Sequence, residues 1–290
     1  MINFILPNME KYKLLLDEYI NPIIDNLNKD KYKISDFAQE DCLNVHFFSE
    51  REYKNWVGFV GKNIFIPHGI ADKNSRNFDN TGDFDYLIVS GEYWKQKHIL
   101  QGVNHEKIII GGYPKMDNMF KLKKNTYNKP MILWCPTHNF STHLNLTTYP
   151  DFINYINDIP FDDFIFKISQ HPANKYNLKP TKQELIDADI IISDSGSMIY
   201  EAFTMNKHVI FPDWIVKDNI LRVYNNTFES QIYEEDIGMH ANSIEELLEF
   251  CYNPVFDKKI KKFIDGIFQK ELRGKSGKAI AEILERKDNS

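Results

Sequence analysis

Five short segments place small, titratable or hydroxyl-bearing residues directly after an apolar run. "NIFIP" is followed by His68 and Gly69, and "KIIIG" by Gly112, Tyr113 and Pro114. "MILWC" leads to Thr137 and His138, and "DFIFKI" to His171 and Pro172. "DIIIS" leads to Asp194, Ser195, Gly196 and Ser197, with Glu201 just beyond. Each of these residue types suits work on a phosphate ester. A histidine such as His68 takes or gives a proton near neutral pH, and Gly69 beside it lets the backbone approach a ligand. Pro172 biases His171 towards an extended conformation, from which the ring donates to a phosphate oxygen or a leaving group. Lys167, four residues earlier, is in reach of the same anion. The 194–201 segment offers hydroxyls, backbone N–H groups and a helix N-terminus, which together make an anion site, and Gly196 permits close approach of the chain. Glu201, one turn into the helix, is placed to accept hydrogen bonds from a ribose. Each residue also has a structural reading: a loop histidine capping a carbonyl, a surface lysine, or an N-cap supplied by Asp194 or Ser195.

Positioning such residues requires strands that end together. Nine apolar runs have strand length: residues 2–6, 44–48, 63–67, 85–89, 107–111, 131–135, 163–168, 189–193 and 208–212. Several are continuous rather than alternating, which suits strands covered on both faces. Amphipathic stretches such as 10–27 and 91–102 lie between them, and strand–helix alternation implies parallel sheets with right-handed crossovers. The rhythm breaks at "FKLKKNTYNKP", a polar, lysine-rich stretch closed by Pro130 that reads as an interdomain linker. The expected architecture is therefore α/β, with two doubly wound Rossmann-like domains facing a cleft. Residues 1–122 form an N-terminal acceptor-side domain, 123–273 a C-terminal nucleotide-donor-binding domain, and 274–290 a helix packing back across the junction. Ligands of such sheets bind at the carboxyl ends of strands, where all five segments fall.

Composition closes off several classes. The 290 residues, 42% hydrophobic and 26% charged, suffice for one large or two ordinary cores. No apolar run approaches membrane-span length, and "MINFILPNMEKYK" reads as a first strand rather than a signal peptide. The expected location is cytoplasmic. A net charge of −6 argues against nucleic acid as a partner. The patch "KKIKKF", Lys258 to Phe263, reads as a solvated helix face, with contact to anionic lipid headgroups as the second reading. Three widely spaced cysteines, Cys42, Cys135 and Cys251, fit packing rather than a disulfide framework or zinc cluster. His138 and His143 lie in a polar loop without a nearby carboxylate, so no metal and no cofactor is expected. GxxxxGK[ST], GxGxxG after the first strand and GxSxG are all absent.

The ordered set "PHG", "GYPKMD", "ILWCPTH", "KISQHP" and "ADIIISDSGSMIYEAFTMNKHVIF" resembles the CDP-glycerol glycerophosphotransferase family of teichoic-acid and capsule enzymes, over residues of about 60 to 215. The resemblance implies a GT-B fold. It also implies transfer of glycerol phosphate, or a related polyol phosphate, from a CDP-activated donor to a hydroxyl of a cell-surface polymer or glycolipid precursor, with release of CMP. His68 then matches the catalytic base and His171 the histidine that contacts the donor phosphates. Thr137, Ser195 and Ser197 match phosphate- and nucleotide-binding positions, and Glu201 the position at the ribose. Lys167 and Gly196 join the donor-binding set on their own chemistry, with Gly69, Gly112 and Asp194 as further candidates. Partners so implied are CDP-glycerol or another nucleotide-activated donor and a polymer or lipid-linked saccharide acceptor, met at the inner face of the cell membrane through peripheral contact. The chain departs from the family in having Ser195-Gly196-Ser197 where an aromatic and two serines are usual, Glu201 where Asp is common, and no arginine soon after Thr137. These departures look equally like nucleotide-sugar glycosyltransferases of GT-B fold or, more weakly, UDP-N-acetylglucosamine 2-epimerases. The non-enzyme alternative is a nucleotide-binding module without turnover.

Overall fold

The computed structural model describes residues 1–7, 13–47, 59–73, 83–137, 146–170 and 182–289. The chain divides into two compact units: unit 1 holds residues 1–69, 74–121 and 265–290, and unit 2 holds 70–73 and 122–264. The division brings two pieces out of sequence order. The excursion Ile70–Lys73 belongs to unit 2, and the terminal helix Ser276–Asp288 belongs to unit 1.

Unit 1 is built on six parallel strands. They are β1 (Ile2–Ile5), β2 (Tyr32–Ser35), β3 (Leu43–His46), β4 (Lys62–Phe65), β5 (Tyr86–Val89) and β6 (Ile108–Ile110), in the order β2-β1-β3-β4-β5-β6. The interior strands are almost wholly buried, as their aliphatic content requires. One polar row crosses them. Asn3, Asn44 and Asn63 stand opposite one another on β1, β3 and β4. Asn44 accepts from Asn3 Nδ2 at 3.0 Å and donates to the carbonyls of Gln39 and Val60 at 2.9 Å, so buried amides fasten the loops entering the strands. Gly112, at φ +89°, turns the chain out of β6 under the terminal helix, where a Cβ would lie 2.4 Å from Ser276 Oγ.

Unit 2 has five parallel strands: β7 (Met131–Cys135), β8 (Ile165–Ile168), β9 (Ile190–Ser193), β10 (His208–Pro212) and β11 (Met239–Ala241), in the order β11-β10-β9-β7-β8. Its core gathers Ile132, Trp134, Phe152, Ile190, Ile192 and Ile210. In both sheets the second strand lies outside the first and the third lies on the first strand's other side. Each sheet thus reverses its winding once, between β1 and β3 and between β7 and β9. The fold is two doubly wound α/β units, as the alternation of runs predicts. All nine expected runs form strands; β2 and β11, both edge strands, are additional. Cys42, Cys135 and Cys251 are buried and unpaired. No helix among the described residues is long and apolar enough to cross a membrane.

Candidate functional site

In unit 1, His68 follows β4 and is exposed. Its Nδ1 lies 2.5 Å from the Phe47 carbonyl at the end of β3. A carbonyl only accepts, so Nδ1 carries the proton and Nε2 is the basic nitrogen. Among the described residues, nothing lies within 4 Å of a Cβ placed at Gly69. Gly112 is taken up in packing against Ser276.

In unit 2, the crevice of a doubly wound sheet opens where the winding reverses, which here is between β7 and β9. Thr137 follows the first of these strands and Asp194-Ser195-Gly196-Ser197 the second. Asp194 is fully buried and joins them. Its carboxylate accepts from Thr137 N–H at 3.0 Å, Thr147 Oγ1 at 2.9 Å, Thr148 N–H at 2.8 Å and Thr148 Oγ1 at 3.1 Å. This is neither of the roles the sequence suggests for it. Asp194 ties the two strand ends to the 147–148 turn, and the helix Met198–Thr204 has no side-chain cap. Ser195 is fully buried and its hydroxyl donates to the Leu146 carbonyl at 3.2 Å. Gly196 borders Thr137: a Cβ there would lie 3.4 Å from Thr137 Oγ1. Ser197 is half-buried at the start of the helix, and Glu201 is buried within it. Lys167 sits on β8, 3.9 Å from Glu184 and with its ammonium over the Tyr127 ring. His171, His138 and His143 lie outside the described residues.

Four residues not singled out from the sequence join this group. Lys73 donates to Thr137 Oγ1. Glu229 Oε1 accepts from Asp72 N–H at 2.9 Å and from Tyr200 OH at 2.6 Å, and Asp72 Oδ2 accepts from Phe228 N–H at 2.9 Å. Burial, with the neighbouring Asp72 charge second, pushes the Glu229 carboxyl up to about 7, against the opposing Tyr200 hydrogen bond and Lys73. Burial pulls Lys73 below the usual lysine value, with Asp194 and Glu229 opposing it. Tyr200 is driven well above the ordinary phenol range by burial and then by Glu229. Tyr200 stands inside the 191–203 stretch, but its partner is some thirty residues on in sequence, and Lys73 belongs to no apolar run. Only the fold brings them together.

Among the described residues, Asp213, Asp236 and His240 offer ligand atoms within 4.8 Å of one another. Lys217 already supplies a positive charge there, 3.0 Å from Asp213 and 2.9 Å from Asp236, while His240 donates to Asp213 and stacks on Phe211. The donor set is a satisfied ion-pair network rather than a metal cage.

No family model matches the chain. A teichoic acid poly(ribitol-phosphate) polymerase of Bacillus spizizenii is 23% identical over 259 residues, which is 76% of this chain and 40% of the relative. The chain is similar to CDP-glycerol glycerophosphotransferase-like enzymes. It spans about two fifths of that relative's length. Solved structures share the fold across the whole chain. A variant of the wall teichoic acid polymerase TagF superposes with a TM-score of 0.63 at 16% identity, covering 100% of this chain and 89% of the other. A TagF variant soaked with CDPG gives 0.61 over the same shares. A UDP-N-acetylglucosamine 2-epimerase of Listeria monocytogenes gives 0.52 at 12% identity, covering 98% and 94%. The fold is therefore GT-B-like, as the resemblance implies.

Proposed function

We propose that the protein transfers glycerol phosphate, or a related polyol phosphate, from a CDP-activated donor to a hydroxyl of a cell-surface polymer or glycolipid precursor. The observation that carries this reading is the polymerase likeness over 76% of the chain. The His68 tautomer supports the role of base: Nε2 takes the acceptor's hydroxyl proton. The hydroxyl oxygen attacks the phosphorus that bears the polyol, the bond from that phosphorus to the bridging oxygen breaks, and CMP leaves with the electron pair. Thr137, Gly196 and Ser197 at the strand ends, with His171, stabilise charge on the phosphates; Glu201 and Lys167 complete the donor-side set. The partners are then a nucleotide-activated donor and a lipid-linked or polymeric acceptor at the cytoplasmic face of the membrane. Exposed Val255 and Phe256 beside Lys258, Lys261 and Lys262 support peripheral contact there.

Incubation with CDP-glycerol, CDP-ribitol, UDP-sugars and GDP-sugars tests the reading by the nucleotide released. CMP from a CDP-polyol is the expected product. Release of UDP or GDP from a sugar donor replaces it with a glycosyltransferase, and binding without any turnover replaces it with a nucleotide-binding module.

A further inference from the structure

Lys73 reaches unit 2 by a short excursion. The chain leaves unit 1 after Gly69, lends Ile70–Lys73 to unit 2 and then returns. Two contacts fasten the excursion one residue before the lysine: Asp72 N–H on Glu229 Oε1 and Asp72 Oδ2 on Phe228 N–H, both at 2.9 Å. Ile70 and Asp72 are buried, so the segment is anchored by packing as well. The anchor delivers the Lys73 ammonium to the carboxyl ends of β7 and β9, onto the Thr137 hydroxyl that Gly196 borders.

Among the described residues no carboxylate lies within ion-pair distance of Lys73, and Asp194 and Glu229 act on it only from farther off. Asp194 is already committed to five donors. Lys167, by contrast, has its partner in Glu184. A half-buried ammonium resting on a hydroxyl is costly unless an anion completes its surroundings. The place is the crevice where doubly wound sheets bind phosphorylated ligands.

We propose that Lys73 is a donor-binding residue whose ammonium, with Thr137 Oγ1 and the Gly196 backbone, holds a phosphate oxygen of the nucleotide-activated donor. The inference rests on the donor reading above, and its test separates the two. The full chain is titrated calorimetrically with cytidine, CDP-glycerol and inorganic pyrophosphate, as wild type, Lys73→Met and Lys73→Arg. Lys73→Met is expected to weaken CDP-glycerol and pyrophosphate by about tenfold or more. Cytidine should be unaffected, and Lys73→Arg should recover most of the loss. Equal affinities of wild type and Lys73→Met for both anions overturn the role of Lys73 and leave the donor reading standing, as does a parallel loss for cytidine. Pyrophosphate binding that Lys73→Met abolishes, without CDP-glycerol binding, keeps the anion site and overturns the donor. Failure of wild type to bind either anion overturns both. Lys73→Gln, which keeps a donor for Thr137 but drops the charge, gives the same comparison if Lys73→Met does not fold.

Discussion

The Phe47 carbonyl decides which nitrogen of His68 is basic, and so makes the residue more than a histidine after a strand. His68→Ala is expected to lower turnover of CDP-glycerol by about a hundredfold or more while leaving its dissociation constant within about twofold. Unchanged turnover removes the base role. Asp194 shows the opposite lesson. It stands at the centre of the segment most suggestive of a phosphate site, yet its carboxylate serves the protein's own donors. Asp194→Ala leaves several buried donors unmatched and is expected to destabilise unit 2 by roughly 3 kcal/mol or more, read as a lower urea midpoint. A midpoint within error of wild type contradicts that role.

Among the elements, the interior strands are legible because each is a short, largely buried and mostly apolar run. Two of the four edge strands, β2 and β11, are not. β2 is half-buried throughout and reads "YKIS", and β11 reads "MHA"; a strand with one covered side needs no continuous apolar run. Residue identity also hid the purpose of Gly112. Its neighbours suggest a glycine at a ligand, but its positive φ and the 2.4 Å approach to Ser276 make it the seat of the terminal helix. Gly112→Ala adds both backbone strain and a clash, at a cost of more than about 1 kcal/mol. Hydrogen exchange across Ser276–Asp288 is expected to quicken; protection equal to wild type excludes this account.

At the scale of the whole molecule, three buried groups, two in one unit and one in the other, answer pH with opposite signs. In unit 1, burial lowers His46 and His98 from 6.5 to about 4. Between those values the unfolded chain binds protons that the native unit refuses, so the stability due to these groups is present above about 6.5 and is lost as pH falls. In unit 2, Glu229 is raised from 4.5 to about 7. There the native unit holds a proton that the unfolded chain releases, so that contribution is full below 4.5 and is lost as pH rises through 7. Each group contributes up to about 3 kcal/mol. Exchange protection measured separately for the two units at pH 5 and pH 7 should shift in opposite senses against variants lacking these groups. Glu229→Gln should flatten the trend in unit 2 alone; an identical pH slope in Glu229→Gln and wild type refutes the assignment.

The order of apolar runs and the small residues after them are local properties, and they sufficed for two parallel α/β sheets and for the motifs that place the chain near glycerophosphotransferases. Hydrophobic burial along a strand leaves its mark on neighbouring residues, so the sequence by itself determined that much. What Asp194 bonds to, which nitrogen of His68 is basic and where Lys73 lands depend on groups tens to more than a hundred residues away. A hydrogen bond or a buried charge is settled by the atoms that meet it in space, and only the tertiary structure brings Asp72, Lys73, Thr137, Asp194 and Glu229 to one end of one sheet.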